Sequence, residues 1–368
     1  MVVPLVVTLG DVRILVAGAT GYVGSRLVPE LLARGHEIVA ASSSEPDPDR
    51  FAWGEEVESA QMDVLDYAAV ADVSAGVDAV CYLVHSLDLR DFTSRDGLAA
   101  TNVRAAAEAN GVRRIVYLSG LVPDEPRANL SEHIASRLEV EDILCAGGVP
   151  ALSVRAGIVI GAGSTSFEIM RQTASLLLVQ PVPHWLHSRV QPVAISDVVE
   201  ALADALETDR CGNADLGGPD VLTYPELLAM YCEVADLHRL RVPSVGAPLP
   251  LVALSAGLVC AAPYWTAAAL VQSLRHDMVC RPDGPFLRDP ASGTTVREAI
   301  RLALRGDLMP QGLAASDPGW VQPPSWDGRI AGVAVPGATA LSAAAHVVDH
   351  RLRGLAGAVQ DGLRRVAG

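Results

Sequence analysis

Apolar and polar positions come in alternating blocks along the first half of the chain. Residues 12–17 form an unbroken apolar run, the pattern of a parallel strand covered on both faces. A glycine-rich turn follows, then a segment over about residues 22–33 that stops at Gly35 and reads as a helix. Residues 37–41, 78–84, 114–118 and 151–160 are further strand-like runs, and the pattern over 98–110 predicts a helix. Strand and helix alternate at the spacing of right-handed βαβ units, so the fold class is α/β with a doubly wound parallel Rossmann sheet.

After residue 160 the rhythm changes. Residues 161–166 read as a flexible loop, 167–178 as an apolar helix, and 191–197 as a strand running into a helix that continues to about 207. Further helical segments follow Gly217-Gly218-Pro219, first over 224–235. The expected division is a dinucleotide-binding domain over 11–218, with a cap loop and helix at about 161–187 inserted in it. A smaller, mostly helical C-terminal substrate-cap region over 219–315 and a tail over 316–368 complete it. In that tail Pro318, Pro323 and Pro324 mark a loop, while Leu341, Ala345, Val348, Leu352, Leu355, Val359, Leu363 and Val366 recur at helical spacing. Such an amphipathic helix would dock on its own chain or on a second subunit, which leaves a homodimer open.

Composition narrows the classes. Half of the 368 residues are hydrophobic and 19% are charged, which excludes global disorder. A net charge of −15 without a basic stripe argues against nucleic acid as a partner. All 28 basic residues are arginine, so no step here can use a lysine. The six cysteines show no metal-ligand or redox spacing and no secretory signal precedes them. The expectation is a cytoplasmic protein with buried, inert thiols and no metal. Residues 242–274 carry no charge, but Pro243, Pro248, Pro250 and Pro263 cut them into pieces too short to span a bilayer. Two short buried helices are expected there, not a transmembrane span.

Candidate chemistry starts at Gly18-Ala-Thr-Gly21-Tyr-Val-Gly24, which lies between the first strand and the first helix. Glycines in that setting permit a tight turn and let backbone N–H groups approach a pyrophosphate at the positive end of the helix. An acidic residue ending the second strand would bind the ribose 2′-hydroxyl of NAD; the chain has Ser42, Ser43 and Ser44 instead. Hydroxyls tolerate a 2′-phosphate, and Arg26 or Arg50 could add charge, so NADP is favoured over NAD. Asp63 and Val64, past the third strand, are candidates for the adenine.

Together with Asn102, Tyr117-Leu-Ser-Gly120 and Gln191-Pro-Val-Ala-Ile-Ser-Asp197, these motifs resemble the atypical and extended short-chain dehydrogenase/reductases. Tyr82-Leu-Val-His-Ser86, Leu130-Ser-Glu-His-Ile-Ala-Ser-Arg137 and Asp215-Leu-Gly-Gly-Pro-Asp220 resemble their bacterial NmrA-like, NAD(P)H-binding branch. The resemblance covers roughly residues 12 to 310. It implies a cofactor site of Gly18, Thr20, Gly21, Tyr22, Val23, Gly24, Ser42, Ser43, Ser44, Asp63, Val64, Leu83, Val84 and Asn102. Its usual active site is a serine, then a tyrosine with a lysine four residues on. Ser119 matches the serine, while His133 and Arg137 fall on the other two positions. His133 would serve as general acid if it titrates near neutrality, Arg137 would hold ribose hydroxyls, and His85, after the fourth strand, would lie near the nicotinamide.

The expected function is an NADP(H)-dependent oxidoreductase acting on a small apolar carbonyl, quinone or enone. Its pocket would draw on Phe167, Met170, His184, Trp185, Tyr264 and Trp265. Two alternatives reuse the fold: a non-catalytic NAD(P)H sensor, supported by the missing tyrosine–lysine pair, and a redox-neutral isomerase, dehydratase or cyclase.

Overall fold

The apolar runs of the first half become strands because each has two faces to bury. The computed structural model describes residues 12–86, 92–244, 264–282 and 284–305, with two short strands at Arg329–Ile330 and Val333–Ala334. The central sheet consists of β1 (Arg13–Ala17), β2 (Glu37–Ser42), β3 (Glu58–Gln61), β4 (Ala79–Tyr82), β5 (Arg114–Gly120), β6 (Ala151–Ala156) and β7 (Gly212–Leu216). These seven strands are parallel, in the order β7-β6-β5-β4-β1-β2-β3. The chain winds outward in both directions from β1 and β4, so a crevice opens beyond their C-terminal ends.

Alternate residues of β1 feed opposite cores. Ile14 and Val16 join one cluster with Leu27 and Leu31 of α1 (Gly24–Ala33), and Leu15 and Ala17 join the other. The second cluster takes in Val70 of α2 (Tyr67–Val73), Ala99 and Val103 of α3 (Phe92–Ala109), and Val140 and Leu144 of α4 (Glu132–Cys145). Helix α6 (Ile195–Glu207) covers the first face beside α1. Pro29 lies inside α1 and lacks the N–H that would bond to Ser25 O; the Trp53 indole N–H donates to that oxygen instead, at 3.2 Å.

Several expectations need correction. The run 151–160 is two strands: β6 ends at Ala156, and Val159–Ile160 pairs with Val193–Ala194 outside the main sheet. Gly157 sits at the break, where an added Cβ would lie 1.9 Å from Gln191 O. Helix α3 starts at Phe92, before the expected Leu98. The start of the uncharged stretch is not a buried helix: Leu240–Ser244 is a strand paired with Val179–Pro183, and Leu240 and Val242 are exposed. Its end forms α8 (Tyr264–Ser273), while residues 245–263 lie outside the described residues. Cys81, Cys232 and Cys280 are buried as expected, but Cys145 and Cys211 are exposed because each stands at the rim of an element. The tail helix expected over 341–366 and most of the loop over 316–329 lie outside the described residues. Among the described residues no helix is long and apolar enough to cross a membrane.

Outside the sheet and its flanking helices stand α5 (Thr165–Leu176), α7 (Tyr224–Val234), α8 and α9 (Val296–Arg305). Thr223 caps α7: its side chain accepts from Glu226 N, and the Glu226 carboxylate accepts from Thr223 N in return.

Candidate functional site

A cleft of about 580 Å³ opens beyond the C-terminal ends of β1, β2, β4 and β5. Gly18 adopts φ +90°, a left-handed conformation that glycine takes without strain. The amides of Gly18 and Ala19 donate to Ala41 O at 2.9 and 3.1 Å, which ties the loop to β2. A Cβ on Gly24 would lie 2.2 Å from Gly18 O, so only glycine lets the helix start this close to the turn. No side chain caps the N-terminus of α1 and no carboxylate stands in its first turn. That leaves the positive end of the helix facing the cleft, and the glycine cradle fits the pyrophosphate of a dinucleotide.

Gly18, Thr20, Gly21, Tyr22, Val23, Gly24, Ser42, Ser43, Asp63, Val64, Leu83 and Val84 all line the cleft. Two expected members of this set do not. Ser44 stands behind Ser42, whose hydroxyl donates to Ser44 O at 3.0 Å. Asn102 donates to Val64 O at 3.0 Å from α3, so it supports the cleft wall at Val64 from outside. Arg26 is buried with its guanidinium over the Tyr22 ring and bonded to Tyr22 O and Ser25 Oγ, and it is not among the residues lining the cleft. Arg50 is exposed and lies over Phe51.

At the other end the cleft gathers His85, Ser119, His133 and Arg137. His85 follows β4 and Ser119 lies near the end of β5. His133 and Arg137 stand one turn apart on α4. Ser131 caps this helix, accepting from Ile134 N, and its hydroxyl lies 3.1 Å from that of Ser273 in α8. One turn beyond Arg137, Glu141 forms a buried two-pronged pair with Arg155 and accepts from Ser153 Oγ at 2.7 Å. This pair fixes α4 against β6 and so fixes where His133 and Arg137 point.

The Arg137 guanidinium donates to Leu118 O at 3.0 Å, while its Nε is buried without a partner. Ser119 Oγ is likewise buried without a well-formed hydrogen bond, with the Tyr117 phenol beside it. Burial pushes Tyr117 up to about 12. Asp96 of α3 accepts from Ser86 N at 2.9 Å, anchoring the segment that bears His85; burial pushes its carboxyl up, against the opposing pull of these bonds and Arg137.

The expectation that His133 titrates near neutrality is not met. Burial, then Arg137 and His85, push it well below the ordinary histidine range. His85, exposed at the cleft, is also pushed down, by the protein around it and then by Arg137. The geometry therefore sets a fixed cation beside two neutral imidazoles.

The remaining wall is mostly apolar. Ile158, Val159, Ile160, Ile169, Met170, Leu227, Leu270, Val271, Leu274 and Met278 line it, and among the described lining only Asp63 and Arg137 are ordinarily ionised groups other than histidine. Met170 was expected there; Phe167 was also expected but turns into the core, edge-on to the Tyr231 ring at 6.0 Å. His184 and Trp185 sit on a short 3-10 turn away from the cleft lining. Tyr264 and Trp265 open α8, and their side chains lie outside the described residues. Leu270, Val271 and Leu274 fall in the segment 251–274 expected to help form the pocket, but Tyr264 and Trp265 were singled out there instead, because helical periodicity does not say which neighbour an apolar face meets.

A family model described as NAD(P)H-binding matches residues 18–175. The chain is 28% identical over 242 residues to an uncharacterised protein of Mycobacterium tuberculosis, covering 64% of this chain and 24% of that one. The chain thus spans about a quarter of the length of that relative. It is 28% identical over 235 residues to a 3-diazoavenalumate denitrifying reductase of Streptomyces sp, covering 54% of this chain and 74% of the reductase. A nucleoside-diphosphate-sugar epimerase of Staphylococcus aureus shares the fold with a TM-score of 0.61 at 15% identity, covering 78% of this chain and 99% of the epimerase.

Proposed function

From a chain that carries an NAD(P)H-binding domain on the short-chain dehydrogenase/reductase fold, we propose an NADP(H)-dependent oxidoreductase acting on a small, mostly apolar carbonyl, quinone or enone. One observation carries this reading: a single cleft joins the glycine cradle to Ser119, His133 and Arg137 along an apolar wall. The Streptomyces relative, a reductase by name, agrees with it. The likeness to the NmrA-like branch belongs to the same reading.

NADP is preferred over NAD because the end of β2 offers Ser42 and Ser43 to the cleft and no carboxylate. With Arg26 committed to Tyr22, the exposed Arg50 is the remaining candidate cation among the described residues of this segment. When bound, the nicotinamide supplies or accepts the hydride. Gly18, Gly21 and Gly24 seat the pyrophosphate, and Arg137 holds polar oxygens at the reacting end with a cation that does not titrate. Ser119 donates a hydrogen bond to the reacting oxygen, and the neutral imidazoles of His85 and His133 act as N–H donors or acceptors. The apolar wall excludes water.

The test is NADPH oxidation by purified protein against a panel of quinones, enones and ketones, with calorimetry of NADPH and NADH beside it. Turnover with tighter NADPH binding is expected, and Gly21→Asp should abolish both by placing a side chain and a charge in the cradle. Tighter NADH binding sinks the NADP assignment. The neutral histidines favour one rival, a dinucleotide sensor, and NADPH binding without turnover of any acceptor would support it.

A further inference from the structure

Two exposed thiols come together at the edge of the sheet, outside the cleft lining. Cys145 ends α4, and Cys211 immediately precedes β7, the edge strand. The Cys145 thiol donates to Gly212 O at 3.7 Å, so it lies against the backbone of the residue next to Cys211. The two sulfurs are near enough to act on one another electrostatically. Cys211 donates to Asp209 O at 3.5 Å, also through a weak S–H contact. The carriers of the pair are pinned: Glu141, one turn before Cys145, bonds Arg155 and Ser153 of β6. Arg114 of β5 donates to Ala205 O and Arg210 O, each at 2.7 Å, and so holds the turn that leads to Cys211. Cys81, Cys232 and Cys280 are buried, so among the described cysteines only this pair meets a solvent oxidant.

We propose that Cys145 and Cys211 are a reversible dithiol modification site, which closes to a disulfide when a peroxide reaches it. Cys211 reacts first, because the protein around Cys145, and then Glu141 and Asp142, push the Cys145 thiol up to about 11. The Cys211 sulfur gives an electron pair to one peroxide oxygen, the O–O bond breaks, and the other oxygen leaves as water with the thiol proton. Cys211 is then a sulfenic acid. The Cys145 sulfur attacks it: an S–S bond forms, the S–OH bond breaks, and the Cys145 proton leaves with that hydroxyl as a second water. The two thiols have lost two electrons and the peroxide has gained them. A small thiol reverses the change by thiol–disulfide exchange. Closure takes a rotation of the Cys211 side chain from Asp209 O toward Cys145. It ties the end of α4, the helix that carries His133 and Arg137, to the edge of the sheet, and it closes a long loop in the unfolded chain.

The test treats the full-length protein with hydrogen peroxide, blocks the remaining thiols with iodoacetamide, and reads peptide masses and the thermal midpoint. A Cys145–Cys211 link within one chain is expected, with two thiols lost together. The midpoint should rise by several degrees and return on adding dithiothreitol. Cys145→Ser should leave Cys211 as a sulfenic acid that dimedone traps, and Cys211→Ser should leave Cys145 unmodified. The wild-type reading is decisive even if a variant fails to fold. Retention of both thiols, a link between two chains, or a link that survives Cys211→Ser overturns the proposal. So does a link that fails to raise the midpoint, because the folded chain must then distort to form it. No readout depends on NADPH turnover, so the result stands apart from the oxidoreductase reading.

Discussion

The two ends of the cleft are made of different material. The dinucleotide end is backbone: three glycines, a strand end and an uncapped helix terminus. The reacting end is side chain, assembled from β5, α4 and the segment after β4, and held by a buried ion pair one turn below it. Backbone geometry tolerates changes in most surrounding residues but no added Cβ at a few points. Side-chain geometry depends on every group that holds its carriers in place, so it fails by loss of partners.

The largest expected effect falls on the reacting end. Glu141→Ala strands Arg155 as an unpaired buried charge and should cost about 3–5 kcal/mol in denaturant unfolding. Replacing both partners, Glu141→Leu with Arg155→Met, should recover most of that loss. A double variant as unstable as the single one would show that packing, and not the stranded charge, is what matters there.

Next in size is Gly24→Val at the dinucleotide end. Its Cβ would meet Gly18 O at 2.2 Å and push the helix terminus from the cradle. NADPH affinity should fall about a hundredfold, roughly 3 kcal/mol by calorimetry. Retained affinity would mean that the cradle is softer than its geometry implies.

A pH effect separates the ends further. His133 has a lowered pKa in the folded protein, so its folded and unfolded states are equally unprotonated above about 6.5, the ordinary histidine value. Below that pH the unfolded chain binds a proton that the folded one refuses. Stability should therefore fall by about 1.4 kcal/mol per pH unit for this one group, and His133→Asn should remove that slope. Urea midpoints measured between pH 7 and pH 5 on both proteins check this; parallel curves would show that His133 is not the group responsible.

The smallest effect is expected at Trp53. Trp53→Phe removes the indole N–H that satisfies Ser25 O beside Pro29, while the ring still stacks on Phe51, 4.6 Å away in the native chain. About 1 kcal/mol should be lost. A loss several times larger would show that α1 needs this bond to keep its first turn aligned with the cradle.

The dinucleotide end was legible because its signals are local. An apolar run, a glycine turn and a helix adjoin in the chain, so Gly18, Gly21 and Gly24 follow from spacing alone, as do the serines ending β2. The same reasoning went astray where a side chain's direction mattered: Phe167 and Met170 lie on one predicted helix and both pack in the core, yet only Met170 also lines the cleft. Asn102 and Ser44 were expected among the cofactor contacts, but neither lines the cleft because of what it bonds. Met278 carries no local mark at all.

By itself the sequence determined the parallel sheet, its crevice and the absence of any lysine for the reaction, since hydrophobic period, glycine spacing and composition are properties of the chain. It also put His133 and Arg137 on one face of a helix, because four residues make about one turn. Only the tertiary structure decided what those two groups are chemically. Burial among β5, α3 and α4 beside a fixed guanidinium removes the charge from His133, and that depends on neighbours distant in the chain.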